Sequence, residues 1–134
     1  MYAVDFYKPW YLFTDASSFS ISVAVTQCNA EGIHFPVAFS SQKLTETQKK
    51  WPVVEREAYS VLQALCKYRS WFLGSKAITV CLDHNPLTFL SETVRKNARL
   101  VRWALSLQEM PVTFQYYPGK KNVVADFLSR VQDA

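Results

Sequence analysis

Glycine is scarce in this chain of 134 residues, with single copies at Gly32, Gly74 and Gly119. A glycine-rich phosphate loop or a dinucleotide-binding fingerprint needs several glycines in one short segment, so both kinds of site are excluded. Long hydrophobic runs are also missing, because charged residues interrupt the apolar stretches well before the roughly 18 residues that a membrane helix requires. The composition therefore argues against the common nucleotide-binding loops and against a membrane-spanning helix.

Cysteine and histidine are also few. Cys28, Cys66 and Cys81 are odd in number and contain no Cys-x-x-Cys pair, and His34 and His84 lie 50 positions apart. This spacing does not favour a zinc finger or ribbon. Each cysteine lies in an apolar stretch, and the N-terminus lacks the layout of a signal peptide. We therefore expect reduced, buried thiols and an intracellular protein, cytoplasmic or nuclear.

Apolar and aromatic residues are plentiful, at 49% and 15% of the chain, and the net charge is +4. A packed core is expected, and bulk disorder is excluded. Since the chain shows no repeat and no linker, residues 1–134 are predicted to form one domain. The positive charge permits an anionic partner without identifying one.

The hydrophobic pattern changes period along the chain. Alternating or continuous apolar residues predict strands, and apolar residues at steps of three and four predict helices. The predicted strands are residues 10–14, 20–27, 35–40, 77–82 and 112–117, and the predicted helices are residues 52–73, 98–107 and 122–131. The order βββ-α-β-α-β-α predicts an α/β fold, with a mixed sheet whose first three strands form an antiparallel meander.

Four of the 11 acidic residues have unusual surroundings. Asp15 and Asp83 each follow a hydrophobic strand, Glu57 lies early in the main helix, and Asp126 is flanked by apolar residues. Carboxylates gathered at one edge of a sheet repel one another unless a divalent metal neutralises them, and hard oxygen ligands select Mg²⁺ or Mn²⁺. On spacing alone, the alternative that these acids cap helices or lie in turns has equal weight.

Seven segments in order resemble the ribonuclease H domain of reverse transcriptases from gypsy-type LTR retrotransposons and related endogenous retroelements. The resemblance covers residues 8–130, with residues 1–7 and 131–134 flanking it. The segments are TDAS at 14–17, PVAFSSQKL at 36–44, EREAYSVLQAL at 55–65, YRSWFLG at 68–74, LDHNPL at 82–87, RW at 102–103 and YYPGKKNVVADFLSR at 116–130.

The resemblance implies a ribonuclease H-like fold, with a five-stranded mixed sheet (three antiparallel strands, then two parallel) and flanking helices. Its four catalytic, metal-binding acids fall on Asp15, Glu57, Asp83 and Asp126. Glu55 competes with Glu57, but only Glu57 has the family's distance to the following Ala-Leu pair. Two residues along a helix rotate a side chain by about 200°, so both cannot face one site, and Glu55 is expected to be the solvated neighbour.

The implied activity is metal-dependent hydrolysis of the RNA strand in RNA–DNA hybrids, with two Mg²⁺ ions or Mn²⁺ in their place. The implied partner in the parent polyprotein is a polymerase or connection domain. Nucleic-acid contacts are expected from hydroxyls near Asp15 and from basic residues, of which three arginines recur on one helix face. These contacts are Ser17, Ser18, Ser20, Arg95, Arg99, Arg102, Lys120 and Lys121. The arginine face has an alternative interpretation as an ordinary solvated face.

His84 follows Asp83 and is a candidate accessory residue for proton transfer, although a structural role is favoured. The chain departs from the family at Ser20 and Ser22, where two glycines are usual. These serines support an alternative function, in which a domesticated or catalytically weak descendant acts as a scaffold that binds nucleic acid or protein.

Overall fold

The computed structural model describes residues 4–83 and 111–119 of the chain. These residues form five strands and three helices. In chain order they are β1 (Trp10–Ala16), β2 (Ser20–Cys28), β3 (His34–Lys43), α1 (Glu46–Lys49), α2 (Val53–Lys67), α3 (Arg69–Phe72), β4 (Ile78–Leu82) and β5 (Val112–Tyr116).

The strands build one mixed sheet in the order β3-β2-β1-β4-β5. β1 pairs antiparallel with β2, and β2 pairs antiparallel with β3, which confirms the predicted meander. β4 lies parallel to β1, and β5 lies parallel to β4. A parallel neighbour requires a crossover connection, which the chain supplies through α1, α2 and α3 between β3 and β4.

The predicted helix over residues 52–73 is two helices. α2 ends at Lys67, and Tyr68 has a non-helical backbone with φ −105° and ψ 17° before α3 begins at Arg69. The Tyr68 ring lies 4.9 Å from the Trp71 ring, and the Trp71 ring lies 5.9 Å from that of Trp10 in β1. Packing of these rings accompanies the break between α2 and α3 at Tyr68. Helical periodicity in the sequence does not predict such packing.

The sheet has two apolar faces. The Leu12 face, formed by alternate residues such as Leu12, Val23 and Val80, packs with α2 in the main core. The Phe13 face is formed by Phe13, Ala24 and Cys81, with Tyr11, Phe39 and Tyr117 packed against them. Because successive side chains of a strand point to opposite faces, each strand contributes to both.

The cysteine prediction was correct in part. All three thiols are free, Cys81 is buried and Cys28 is half-buried. Cys66 is exposed, so the expectation that it is buried was wrong. It lies in the last turn of α2, where the apolar stripe faces the sheet and the remaining positions face solvent.

Across residues 4–83 and 111–119, the structure contains no helix long and apolar enough to cross a membrane.

Candidate metal site

Two of the predicted acids lie at the ends of neighbouring parallel strands. The β1–β4 register pairs Phe13 with Cys81. Continuing that register by two residues places Asp83, the residue after β4, opposite Asp15 in β1. Both carboxylates are exposed. The parallel pairing therefore brings two acids to the same edge of the sheet, although 68 residues separate them in the sequence.

Strand alternation also places both aspartates on one face. Asp15 lies two residues after Phe13, and Asp83 lies two residues after Cys81, and both reference residues belong to the Phe13 face. Side chains two apart on a strand share a face. Asp15 and Asp83 are therefore neighbours on the Phe13 face, where the apolar part of the sheet ends.

The turn after Asp15 is ordered by the hydroxyl of Ser17. Ser17 Oγ accepts hydrogen bonds from the backbone N–H groups of Phe19 (3.2 Å) and Ser20 (3.0 Å), and it lies 3.2 Å from Ser20 Oγ. Asp15 Oδ1 accepts a hydrogen bond from the Ala16 N–H at 3.0 Å. The hydroxyls of Ser17 and Ser20 thus support the turn, Ser18 is exposed, and the nucleic-acid contacts expected of these three serines remain a prediction.

Glu57 lies on the second turn of α2, at the Asp15 end of the sheet. Tyr68, which follows α2, packs with Phe72, and the Phe72 ring lies 5.6 Å from that of Trp10, the first residue of β1. The 15 residues of α2 span about 22 Å, which is close to the length of β1. The helix therefore begins near the Asp15 end of the sheet, but on the Leu12 face, while the two aspartates lie on the Phe13 face.

Glu55 does not match its prediction. It is 8% exposed in the first turn of α2, so the expectation of a solvated neighbour was wrong. Glu57 is half-buried. The rotation of about 200° between the two positions still separates their directions, but it turns Glu55 toward the protein interior and not toward water.

The acids at this edge fit a hydrated divalent ion. Within residues 4–83 and 111–119, no three His, Cys, Asp or Glu side chains are grouped to hold a metal. Mg²⁺ is often held by one or two carboxylates, with water and substrate phosphates as its other ligands. Asp15 and Asp83 supply two exposed oxygen donors on one face, which suits such an ion.

Several predicted site residues lie outside the described part of the chain. They comprise the fourth acid, the accessory histidine and the basic residues expected to contact nucleic acid. They are His84, Arg95, Arg99, Arg102, Lys120, Lys121 and Asp126. Their assignments remain predictions.

Sequence reasoning assigned no role to His34, which lies at the centre of an aromatic cluster on the Phe13 face. Its ring makes edge contacts with the rings of Tyr11, Phe13 and Tyr117, at centroid distances of 4.7, 5.1 and 5.7 Å. Thr26 Oγ1 lies 3.0 Å from His34 Nδ1, and burial lowers the pKa of His34. The predicted antiparallel pairing of residues 20–27 with residues 35–40 was the signal for this placement, because it brings residue 34 close to residue 28.

Three other groups of this cluster have shifted pKa values. Burial raises the pKa of the Cys28 thiol, whose Sγ lies 3.6 Å from His34 Nδ1. Burial also raises the pKa values of Tyr11 and Tyr117. Burial disfavours the charged form of all four groups, so the cluster is neutral near pH 7 and behaves as a polar extension of the core.

Comparison with known proteins shows which family this chain belongs to. Residues 5–110 match the family described as an RNase H-like domain found in reverse transcriptase. The chain is 37% identical over 126 residues to the Pol polyprotein of transposon opus and 36% identical over 126 residues to that of transposon gypsy, both from Drosophila melanogaster. It is 30% identical over 132 residues to the Tf2-3 polyprotein of Schizosaccharomyces pombe.

These alignments cover 94% to 96% of this chain but only 10% to 12% of the three relatives. The chain thus spans about a tenth of the length of the curated relatives it matches.

Solved structures share the fold. A foamy viral protease–reverse transcriptase in complex with double-stranded DNA matches with a TM-score of 0.67 and 24% identity, over 85% of this chain and 20% of that chain. LC11-RNase H1 in complex with an RNA/DNA hybrid matches with a TM-score of 0.57 and 17% identity, over 88% of this chain and 90% of that chain. At these identities the likeness establishes the RNase H-like fold alone.

Proposed function

We propose, from the premise that the chain belongs to the family of RNase H-like domains found in reverse transcriptases, that it is a metal-dependent endonuclease. Its proposed substrate is an RNA–DNA hybrid, of which it hydrolyses the RNA strand. The observation that carries the proposal is the placement of Asp15 and Asp83 at one edge and on one face of the sheet. Both carboxylates are exposed, and oxygen ligands of this kind suit Mg²⁺ and Mn²⁺.

The four acids have distinct positions in the proposed site. Asp15 and Asp83 would supply ligands from the sheet, and Glu57 and Asp126 would complete the proposed set. A divalent ion held there would supply a lowered pKa for an attacking water and stabilisation of the charge on the leaving oxygen. The protein itself holds the acids at fixed positions and orients the hybrid, whose RNA strand is distinguished by its 2′-hydroxyls.

The proposed biological setting is a reverse transcriptase. The curated relatives are Pol polyproteins many times longer than this chain, which supports a polymerase or connection domain as the covalent partner in the parent protein. A scaffold that binds nucleic acid without cutting it is the second candidate. It is favoured by Ser22, whose position directly opposite Asp15 in the β1–β2 register adds a side chain beside the proposed site.

Cleavage of a hybrid labelled on its RNA strand tests the enzymatic proposal. In Mg²⁺ or Mn²⁺ we expect RNA fragments from the hybrid and none from a DNA duplex of the same sequence. Asp83→Asn removes a charged ligand while keeping the size of the side chain, and we expect it to lower the rate by about a hundredfold or more. Folding of the variant is checked by circular dichroism. If the wild-type chain cuts no faster than Asp83→Asn at any metal concentration, the scaffold function replaces the enzymatic one.

A further inference from the structure

A line of polar residues crosses four strands of the sheet on the face that carries the two aspartates. The β1–β2 register places Ser22 directly opposite Asp15, and the β2–β3 register places Ser41 directly opposite Ser22. Residues directly opposite each other in paired strands share a face. With Asp83, which continues the β1–β4 register, the line runs from the acids to strand β3, at the end of the sheet order.

The line marks a boundary between an apolar and a polar part of the Phe13 face. Two residues toward the Trp10 end of the sheet, the face consists of Cys81, Phe13, Ala24 and Phe39. Two residues in the opposite direction, Ser20 of β2 lies opposite Lys43 of β3. Apolar packing on this face therefore stops at the level of Asp15. Beyond it, toward the Asp15 end of the sheet, the face carries serine hydroxyls and the ammonium group of Lys43.

The polar groups of the line are accessible. Ser41 and Lys43 are exposed, and Ser22 is half-buried. Among residues 4–83 and 111–119, no hydrogen bond joins the hydroxyl of Ser22 or of Ser41 to another group. Both hydroxyls therefore keep a donor for a ligand, and the Lys43 ammonium lies one residue pair away.

The chemistry of the line indicates which ligand it binds. Hydroxyl donors and a lysine ammonium are typical contacts to phosphate oxygens of nucleic acids. Strands lie about 4.8 Å apart, so Ser22 and Ser41 are roughly 5 and 10 Å from Asp15 across the sheet. This length suits an extended phosphodiester backbone better than one small anion.

We propose that Ser22, Ser41 and Lys43 form a subsite that holds the phosphodiester backbone of a nucleic-acid strand as it leaves the Asp15–Asp83 edge. The subsite deepens the proposed function and rests on it for the identity of the substrate. Ser22 and Ser41 donate hydrogen bonds to phosphate oxygens or ribose hydroxyls, and Lys43 neutralises one phosphate.

The contribution of Lys43 is measured by the salt dependence of binding. The full chain is titrated with an RNA–DNA hybrid at several salt concentrations in EDTA, so that cleavage does not interfere. Each neutralised phosphate contributes about 0.9 to the slope of log affinity against log salt, so Lys43→Gln should reduce the slope by about one. Lys76→Gln removes an equal charge two residues before β4, at the opposite end of the sheet from Asp15 and Lys43, and should leave the slope unchanged.

The hydroxyls are tested at constant salt. A neutral hydrogen bond changes an equilibrium about two- to tenfold, so Ser41→Ala and Ser22→Ala should each weaken binding within that range. Ser40→Ala is the matched control, since Ser40 neighbours Ser41 on β3 but pairs with Val23 of the Leu12 face. It should leave affinity unchanged.

The outcomes distinguish the subsite from the enzymatic function. Unchanged slope in Lys43→Gln together with unchanged affinity in both serine variants overturns the subsite, even if the wild-type chain cuts hybrids. Effects confined to these variants support the subsite, even if the wild-type chain cuts nothing. Equal losses in Ser40→Ala and Ser41→Ala also overturn it, because they indicate a general disturbance of β3.

Discussion

His34 lies in an environment that its neighbours in the sequence do not predict. It lies in an exposed-looking segment after Gly32, yet β2–β3 pairing places it opposite Cys28 and among the rings of Tyr11 and Phe13. Local composition cannot predict this environment, because three strands contribute to it. The same limit applies to Glu55, whose burial depends on what packs against the first turn of α2.

The lowered pKa of His34 makes stability depend on pH. The unfolded chain takes up a proton near the ordinary histidine pKa of about 6.5, whereas folded His34 stays neutral to lower pH. Since the unfolded state binds more protons in this interval, the contribution of His34 to stability is complete above about pH 6.5 and is lost as the pH falls below it.

Urea unfolding from about pH 8 to about pH 5 measures this contribution. We expect the free energy of unfolding of the wild-type chain to fall faster toward low pH than that of His34→Gln, which cannot take up the proton. Comparison of the two chains cancels the contribution of other titrating groups. Parallel pH profiles for the two chains would show that the imidazole titrates equally in the folded and unfolded states.

At the level of elements, the strands follow from the sequence more closely than the helices do. The alternation of Ile21, Val23 and Val25 predicts β2, and these three side chains lie together in the main core on the Leu12 face. The break at Tyr68 is not predictable in this way, since a continuous apolar stripe is compatible with one helix or two. Contacts of the following rings with Trp10 accompany the shorter helices.

Two glutamates that lie only two residues apart in helix α2 have different surroundings. The turn angle of the helix directs them to different surroundings, with Glu55 buried and Glu57 half-buried. The resemblance to the family favours Glu57 as a proposed ligand, and Glu57 lies at the Asp15 end of the sheet, on a helix that packs on the Leu12 face. The two glutamates therefore have separable roles, one in the proposed site and one in the stability of the helix start.

Glutamine substitutions separate these roles. Glu57→Gln should lower the rate of hybrid cleavage by about a hundredfold, because it removes a charged ligand. Glu55→Gln should lower the free energy of unfolding by about 1–3 kcal/mol, because it alters a buried polar group, while the cleavage rate per folded molecule is retained. Cleavage assays and urea unfolding of both variants measure this. Loss of cleavage in Glu55→Gln with retention in Glu57→Gln would reverse the assignment.

At the level of the whole molecule, the proposed site implies an uneven distribution of charge. The net charge is +4, but four of the 11 acids are assigned to one site, so seven remain to balance 15 lysines and arginines elsewhere. A basic protein around an acidic pocket suits a polyanionic substrate whose cleavage needs divalent cations. Composition alone gives the total charge, and the parallel pairing of β1 with β4 shows where two of the acids meet.

The candidate site is predictable from the sequence only in part. The resemblance assigns Asp15, Glu57 and Asp83, and the register explains why two of them are neighbours. The line from Asp15 through Ser22 to Ser41 is not visible in the sequence, because it depends on the registers of two strand pairs. A shift of one residue in either pair would move the serines to the other face.

The central claim is that Asp15 and Asp83 together bind a divalent metal ion. Electron paramagnetic resonance of free Mn²⁺, titrated into the full chain, counts bound ions without requiring substrate or activity. We expect saturable binding by the wild-type chain, a loss of affinity of about tenfold or more in both Asp15→Asn and Asp83→Asn, and unchanged binding in the control Asp5→Asn. Wild-type affinity in both site variants would contradict the account.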